Sequence, residues 1–313
     1  MLRKNSVGHL TQKKYQRHWE MLQKWSHNAI AVDTSLEVLD SMLANYLEHC
    51  YLEGEDLSFA NYAVASVVYH LPRAKGAALP LVQQSMRGWR RLCPPRARLP
   101  IPYEVVCLLS MQAYKEHKLE ICVVLQLMFL LYLRPGEAFT MRVQDIVFPV
   151  KRAGKAYKHF SILLHPSEEG IPSKTKQWDE MLSIDLKHMK FLGPALEQIL
   201  DLKNRAGADK AFTISLEDVN QFMENNWEPL GLKPLGKPHA YRLRHGGASY
   251  EAALKLRTLA SIQSRGRWQT LKSVKNYEKG SRLAQLFGSL SKATRDKAVR
   301  AKKDVVQVLS GKL

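Results

Sequence analysis

The chain has 313 residues, of which 45% are hydrophobic, so it is long enough for two domains and too apolar to be disordered. Lysine and arginine total 47 against 29 acidic residues, and the resulting charge of +18 predicts an extended polyanion as partner. Nucleic acid is the first candidate and an anionic membrane surface the second; a protein that is merely basic is the remaining interpretation.

The four cysteines, Cys50, Cys93, Cys107 and Cys122, show no CxxC spacing. This pattern argues against a metal site and a disulfide framework, and it predicts reduced thiols in an intracellular compartment. The N-terminal residues lack the apolar segment of a secretory signal. The most apolar run, 121–133, is too short to span a bilayer and ends at a charged residue, so it predicts a buried helix.

The first part of the chain is predicted to be entirely helical. Apolar residues recur at three- and four-residue steps over 11–27, 33–54, 58–71 and 80–93. The last of these helices carries Arg87, Arg90 and Arg91 on its polar side, where they are candidates for DNA contact. We therefore predict an α-helical domain over residues 1–93 with a basic face.

Four prolines in the nine residues "PPRARLPIP" predict an extended linker over 94–102. Arg96 and Arg98 are candidates for phosphate contacts along this linker, although a plain connector between domains explains them equally well.

After the linker the pattern becomes mixed. Helices are predicted at 103–116 and 118–133, and strands at 158–166 and 179–186, where residues alternate and β-branched side chains are common. A polar turn between these strands, "SEEGIPSKTKQW", carries Lys174 and Lys176. The stretch 207–215 fits a short strand or a loop. Helices are predicted again at 216–227, 239–255 and 258–264, and the basic tail from 281 to 313 has a helical composition.

Several charged residues stand where they would bind an anion. Arg134 follows the buried helix, and Glu137 lies about one turn further on, although such an Arg–Glu pair is also ordinary at a helix end. Arg242, Arg244 and His245 stand at the start of a helix, whose free N–H groups already favour anions.

A basic segment follows these residues. Trp268 precedes Tyr277 by nine residues, and the basic residues Arg265, Arg267 and Lys272 accompany them.

This order of motifs resembles the tyrosine recombinase (phage integrase) superfamily. The matching segments are "YLRPGE", "SKTKQ", "YRLRHGGAS" and "GRWQTLKSVKNY". They correspond to the family's "GLRxxE"-like box, its hairpin lysine, its "HxxRH" motif, and a "GH" or "GW" followed nine residues later by the tyrosine. The details are most similar to recombinases of eukaryotic mobile elements.

The resemblance implies a fold and a domain organisation. An α-helical N-terminal core-binding domain would precede a mixed α/β catalytic domain, mainly helical with a small antiparallel sheet, over 103–290. The C-terminal helix, within 291–313, would pass to a neighbouring protomer, and packing within its own chain is the alternative.

The resemblance also implies a reaction. Tyr277 would be the nucleophile that forms a 3′-phosphotyrosine, and Arg134 and Arg244 would hold the scissile phosphate. Lys174 would be the general acid, with Lys176 as the alternative. Trp268 would donate its indole N–H to the phosphate. Glu137 would orient Arg134, and His245 would support the site. The expected partner is double-stranded DNA, bound by a dimer at each site and a tetramer in the synapse, with a nuclear or nucleoid location and no metal or nucleotide cofactor.

One position departs from the family pattern. Tyr241 stands where "HxxRH" has its first histidine; a tyrosine can donate a hydrogen bond to phosphate, but it cannot exchange a proton at neutral pH as histidine does. A register that pairs His239 with Arg242 is the alternative, and "LRHGGAS" favours Arg244 as the family arginine. A type IB topoisomerase-like enzyme, a telomere resolvase and a domesticated DNA-binding protein that no longer cleaves remain as alternative functions.

Overall fold

The chain forms two units that divide between Ala97 and Arg98, inside the proline-bearing segment 94–102. A computed structural model describes residues 6–93, 99–170, 173, 177–275 and 280–311, apart from the side chains at positions 77, 156, 272 and 273. Within these residues, no helix has the length and apolar character needed to cross a membrane.

The N-terminal unit is built from four α-helices, as the sequence predicts. They are α1 (His9–Trp25), α2 (Leu36–Leu52), α3 (Leu57–His70) and α4 (Pro80–Leu92). Ser35 and Asp56 cap α2 and α3, each accepting a hydrogen bond from a backbone N–H in the first turn. The buried faces of the helices form one apolar core.

The start of α4 is held by a side chain from α2. The buried carboxylate of Asp40 accepts hydrogen bonds from the backbone N–H groups of Leu81 and Val82, at 2.8 and 2.9 Å. These bonds satisfy two donors that have no partner within the helix. The three arginines of α4 are exposed, and their contact with DNA remains a prediction.

The C-terminal unit is mainly helical with one small sheet, which confirms the predicted fold class. Its helices are α5 (Tyr103–Lys115), α6 (Leu119–Leu130), α7 (Pro135–Thr140), α8 (Leu192–Arg205), α9 (Leu216–Trp227), α10 (Tyr241–Ala253), α11 (Leu259–Gly266), α12 (Leu271–Lys275), α13 (Gly280–Gly288) and α14 (Lys292–Leu309). Strands β1 (Ile146–Val147), β2 (Ser161–Leu164) and β3 (Glu180–Ser183) form an antiparallel sheet in that order, with Ile162 opposite Leu182. The stretch 207–215 is a loop, apart from one isolated bridge between Arg142 and Lys210.

Helix α6 lies at the centre of this unit. Residues 121–130 of α6 are all buried, which confirms the prediction of a core helix. Helix α10 packs closely on it: a Cβ added at Gly247 would lie 1.8 Å from the backbone oxygen of Phe129. Only glycine allows this approach, and it places the start of α10 beside the end of α6.

The C-terminal helix α14 packs against α5 of the same chain. The apolar residues Ala298, Ala301, Val305 and Leu309 are buried there, and Lys302 pairs with Glu104 at 2.7 Å. In this single chain the helix therefore packs within its own protomer. Its transfer to a neighbouring protomer stays a prediction.

Candidate active site

The first predicted site residue, Arg134, stands between α6 and α7. Tyr132 turns the chain with a φ of 52°, and Arg134 precedes Pro135, the first residue of α7. Glu137 holds Arg134 twice: one carboxylate oxygen accepts from the backbone N–H at 2.7 Å and the other from Nη1 at 2.6 Å. The expected contact between Arg134 and Glu137 is thus present.

The second arginine, Arg244, comes from the first turn of α10 and is buried, with 6% of its surface exposed. Its Nη1 donates to the backbone oxygen of Tyr132 and its Nη2 to that of Gly266. The guanidinium lies 4.7 Å from the ring of Trp268, which in turn lies 6.1 Å from the ring of Tyr132. The structure therefore brings Arg134, Arg244 and Trp268 together around the turn at Tyr132.

Gly266 makes the position of Trp268 possible. A Cβ at Gly266 would lie 1.7 Å from the indole ring, so a larger residue there would displace Trp268 from Arg244. The glycine of the local sequence "GRW" is therefore explained by packing against Trp268.

The guanidinium groups of Arg265 and Arg267, which were predicted to contact DNA, are both buried and bound to protein atoms, and their contact with DNA stays a prediction. The Arg265 side chain is 7% exposed and donates to the backbone oxygens of Ser183 and Leu130, at 3.1 and 3.4 Å. The Arg267 side chain is 4% exposed and pairs with Glu137 at 2.6 Å. Burial lowers the pKa of both arginines.

Glu137 is consequently shared by two guanidinium groups. Burial disfavours its charged form, but Arg267, the backbone N–H of Arg134, and the guanidinium groups of Arg134 and Arg244 outweigh burial and lower the pKa of Glu137. The site therefore holds an ionised carboxylate beside three arginines. Arg267 and Glu137 are 130 residues apart, and no sequence motif indicates that they form a pair.

The alternative arginine, Arg242, has a different environment. It is buried, donates to the backbone oxygens of Leu99 and Lys237 at 3.1 and 2.9 Å, and lies 5.5 Å from the ring of Trp227. Burial lowers its pKa to about 10. These contacts connect α10 to the segment before α5, whereas Arg244 contacts the groups around Arg134.

The residues around Tyr241 are half-buried. The backbone N–H of Tyr241 donates to Nδ1 of His239 at 3.1 Å, and the two rings lie 5.5 Å apart. His245 is also half-buried. Among the residues that the structure describes, no three histidine, cysteine or carboxylate side chains are grouped as metal ligands would be.

Several predicted residues lie outside the described part of the chain: Arg96, Arg98, Lys174, Lys176, Tyr277 and the side chain of Lys272. The residues that flank the lysine-bearing turn are described. Ser173 is buried and forms two hydrogen bonds with Gln177. The backbone N–H of Ser173 donates to the backbone oxygen of Gln177 at 2.9 Å, and the Oγ of Ser173 accepts from the backbone N–H of Gln177 at 3.0 Å. Gln177 lines a surface depression of about 390 Å³ together with Arg267 and Trp268. The turn therefore ends beside the arginine site.

The segment that carries Tyr277 is also flanked by residues near the site. Val274 is fully buried in a small cluster with Tyr132, Ala248 and Ile262. On the other side, a Cβ at Gly280 would lie 3.2 Å from that of Ala253 in α10. Both flanking residues thus pack against the elements that hold the arginines.

No protein-family model matches the chain, and no curated protein sequence matches it. Solved structures that share its fold include the following two. One is the XerH site-specific recombinase bound to palindromic difH substrate, with a TM-score of 0.61 and 15% identity over 91% of this chain and 80% of that one. The other is the Tn1549 transposon integrase in complex with transposon right-end DNA, with a TM-score of 0.60 and 12% identity over 90% of this chain and 94% of that one. The chain therefore shares the fold of these two proteins, as its sequence motifs predict.

Proposed function

We propose that the protein is a site-specific DNA recombinase that cleaves and rejoins DNA through a 3′-phosphotyrosine on Tyr277. The main support is that Arg134 and Arg244 lie together near the carboxylate of Glu137, which also pairs with Arg267, and next to Trp268. Burying more guanidinium groups than carboxylates is costly unless an anion arrives. A phosphodiester of DNA is an anion of the required size and charge.

In this reaction Arg134 and Arg244 hold the two non-bridging oxygens of the scissile phosphate. Charge accumulates on these oxygens in the transition state, and donors that are already fixed stabilise it without reorganisation. Glu137 fixes Arg134, and the backbone oxygens of Tyr132 and Gly266 fix Arg244. The side chain of Arg134 is 20% exposed, which gives DNA access to the site.

Tyr277 supplies the nucleophile. Its phenolic oxygen gives its proton to water and attacks phosphorus, the bond from phosphorus to the 5′-oxygen breaks, and Lys174 gives a proton to that leaving oxygen. Lys176 is the alternative donor from the same turn. A 5′-hydroxyl of another strand then attacks the phosphotyrosine and releases Tyr277, so the phosphodiester energy is conserved without ATP or metal.

The proposed partner is double-stranded DNA, held by both units. The +18 charge and the exposed arginines of α4 support binding that is dominated by phosphate contacts and weakens steeply with salt. A dimer at each site and a tetramer in the synapse complete the proposal.

A nicked duplex tests the cleavage step. DNA sites are first enriched from a random duplex library with the protein, and a nick placed near the cleavage point lets the short 5′-hydroxyl strand diffuse away. We expect wild type to give a covalent adduct on a denaturing gel, Tyr277→Phe to give none, and the exposed control Tyr157→Phe to match wild type. Binding without any adduct would support a protein that no longer cleaves, and an adduct in Tyr277→Phe would exclude this nucleophile.

A second substrate identifies the general acid. In a 5′-bridging phosphorothiolate the leaving group is a thiolate, which departs without protonation. If Lys174 is the acid, Lys174→Ala slows cleavage of the ordinary substrate by about 10²–10⁴-fold and leaves the phosphorothiolate rate near that of wild type. If only Lys176→Ala shows this pattern, Lys176 is the acid.

A further inference from the structure

Arg267 has an unusual backbone and an unusual environment. It follows the last residue of α11 with a φ of 52°, a conformation that few residues other than glycine adopt. Its side chain turns into the protein, where only 4% of it is exposed. Strained residues of this kind persist only where their surroundings hold them, and they are common at functional sites.

Two carboxylates from different parts of the fold surround the Arg267 guanidinium. Nη2 donates to Glu137 at 2.6 Å, and Nε lies 3.8 Å from a carboxylate oxygen of Glu180. Glu137 is the residue that holds Arg134. Glu180 is the first residue of β3, opposite Leu164 at the end of β2, and thus stands at the base of the hairpin that carries Lys174.

We propose that Arg267 is a positioning residue that couples the β2–β3 hairpin to Arg134. Through Glu137 it fixes the arginine that holds the phosphate, and through Glu180 it fixes the base of the turn that carries the general acid. It thereby sets the distance between the bound phosphate and the proton donor. This inference rests on the proposed function and adds a residue that acts through others.

Neither DNA binding nor stability alone accounts for these contacts. The charged contacts of the Arg267 guanidinium are to two carboxylates of the protein, which balance its charge without a phosphate. A buried ion pair is also weak evidence for a stabilising role, because apolar residues of similar size often stabilise as well or better. The neighbouring Arg265 shows the contrast: it is equally buried, but its partners are backbone oxygens and Asp185.

The test compares Arg267→Met with Arg265→Met on the nicked duplex. Both variants remove a buried guanidinium, so both lower the melting temperature. Since a displacement of about 1 Å in an active site can cost about 10²-fold in rate, we expect Arg267→Met to form adduct about 100-fold more slowly than wild type. Its DNA affinity should change by less than about threefold, because the guanidinium of Arg267 is paired with carboxylates of the protein. Arg267→Lys should recover part of the rate.

The phosphorothiolate substrate separates the two connections. Glu180→Gln weakens only the connection to the hairpin, so its cleavage defect should disappear when the leaving group needs no proton. The defect of Arg267→Met should be relieved only in part, because Arg134 remains displaced. The proposal is overturned if Arg267→Met cleaves the ordinary substrate within threefold of Arg265→Met, or if the new leaving group relieves neither variant.

A third measurement does not depend on activity. If Arg267 connects the two carboxylates, the melting-temperature shifts of Glu137→Gln and Glu180→Gln are not additive in the double variant. Additive shifts would refute the coupling. If wild type forms no adduct while the shifts are non-additive, the proposed function fails and the structural connection stands.

Discussion

The carboxylate of Glu137 is the most informative single position in the structure. Its two oxygens accept from Arg134 Nη1 and Arg267 Nη2, each at 2.6 Å, and from the backbone N–H of Arg134 at 2.7 Å. Glu137→Gln keeps the shape and one acceptor oxygen but removes the charge. One guanidinium then faces an amide N–H₂ group instead of a carboxylate oxygen, and the arginines lose their shared counter-charge.

The expected loss is large for a single substitution. Removing one partner of a buried ion pair costs about 3–5 kcal/mol, and because glutamine retains one acceptor we expect the lower end, about 3 kcal/mol. For a domain of 150–250 residues this corresponds to a fall in melting temperature of about 6–12 °C. Adduct formation should fall as well, since Arg134 is no longer fixed.

The effect has a defined pH dependence. The pKa of Glu137 is lowered in the folded state, so its contribution to the free energy of unfolding is complete above its unfolded pKa and is lost as the pH falls through its folded pKa. The difference between wild type and Glu137→Gln should therefore be constant from pH 8 to about 5 and should narrow below about pH 4.5.

Urea and thermal denaturation across this pH range measure the effect. Glu228→Gln is the matched control, because Glu228 pairs with Lys233 at 3.0 Å in the same unit but both side chains are about three-quarters exposed. Such a pair contributes about 0–1 kcal/mol. If Glu137→Gln destabilises no more than Glu228→Gln at pH 7, or if the difference widens in acid, Glu137 is not a charged anchor of the site.

Four further substitutions test the packing around the site and in the N-terminal unit. Gly247→Ala should destabilise by about 2 kcal/mol in urea denaturation, because its Cβ would meet the backbone oxygen of Phe129, whereas Gly88→Ala has open space in α4 and should stabilise by about 0.5–1 kcal/mol. Tyr132→Phe removes the hydrogen bond to Glu251 and should cost about 1.5–3 kcal/mol in the same assay. Asp40→Ala removes the cap of α4 and should cost about 1–2 kcal/mol, measured by loss of helical circular dichroism on heating.

Most helices could be predicted from the spacing of apolar residues, and α8 is the instructive exception. Its first turn contains Gly193 and Pro194, which usually interrupt a helix. Proline is tolerated in a first turn because the N–H that it lacks would have no partner within the helix. Gly193 is favoured by packing, since a Cβ there would lie 2.7 Å from the ring of Phe160, which would have to shift. The preference for glycine at position 193 thus depends on Phe160, which is distant in sequence and could not be inferred from the local pattern.

The motifs predicted that Arg134, Arg244 and Trp268 lie close together, but not which other arginines face inward. Arg265 and Arg267 stand in one basic segment with Trp268, and in the sequence their charges look alike and suit a DNA-facing surface. Their burial depends on the end of α11 and on the left-handed conformation at Arg267, which turn the side chains toward Glu137 and Ser183. The sequence around Arg265 and Arg267 does not indicate that Glu137 and Ser183 are their partners.

Tyr132 shows how a departure from a family motif can be compensated. The box that "YLRPGE" resembles has glycine at this position, where the φ of 52° suits glycine best. Here the ring is fully buried, and its hydroxyl donates to Glu251, which also accepts from Arg257 at 2.9 Å. Packing and this hydrogen bond offset the backbone strain.

The same turn then connects the site to the interior. The backbone oxygen of Tyr132 accepts from Arg244, while its side chain packs beside Trp268 and bonds to Glu251. A glycine could provide the backbone oxygen but not the packing or the hydrogen bond. The position of Arg244 therefore depends on a buried polar network in this chain, so a substitution at Glu251 or Arg257, neither of which belongs to a motif, should displace Arg244.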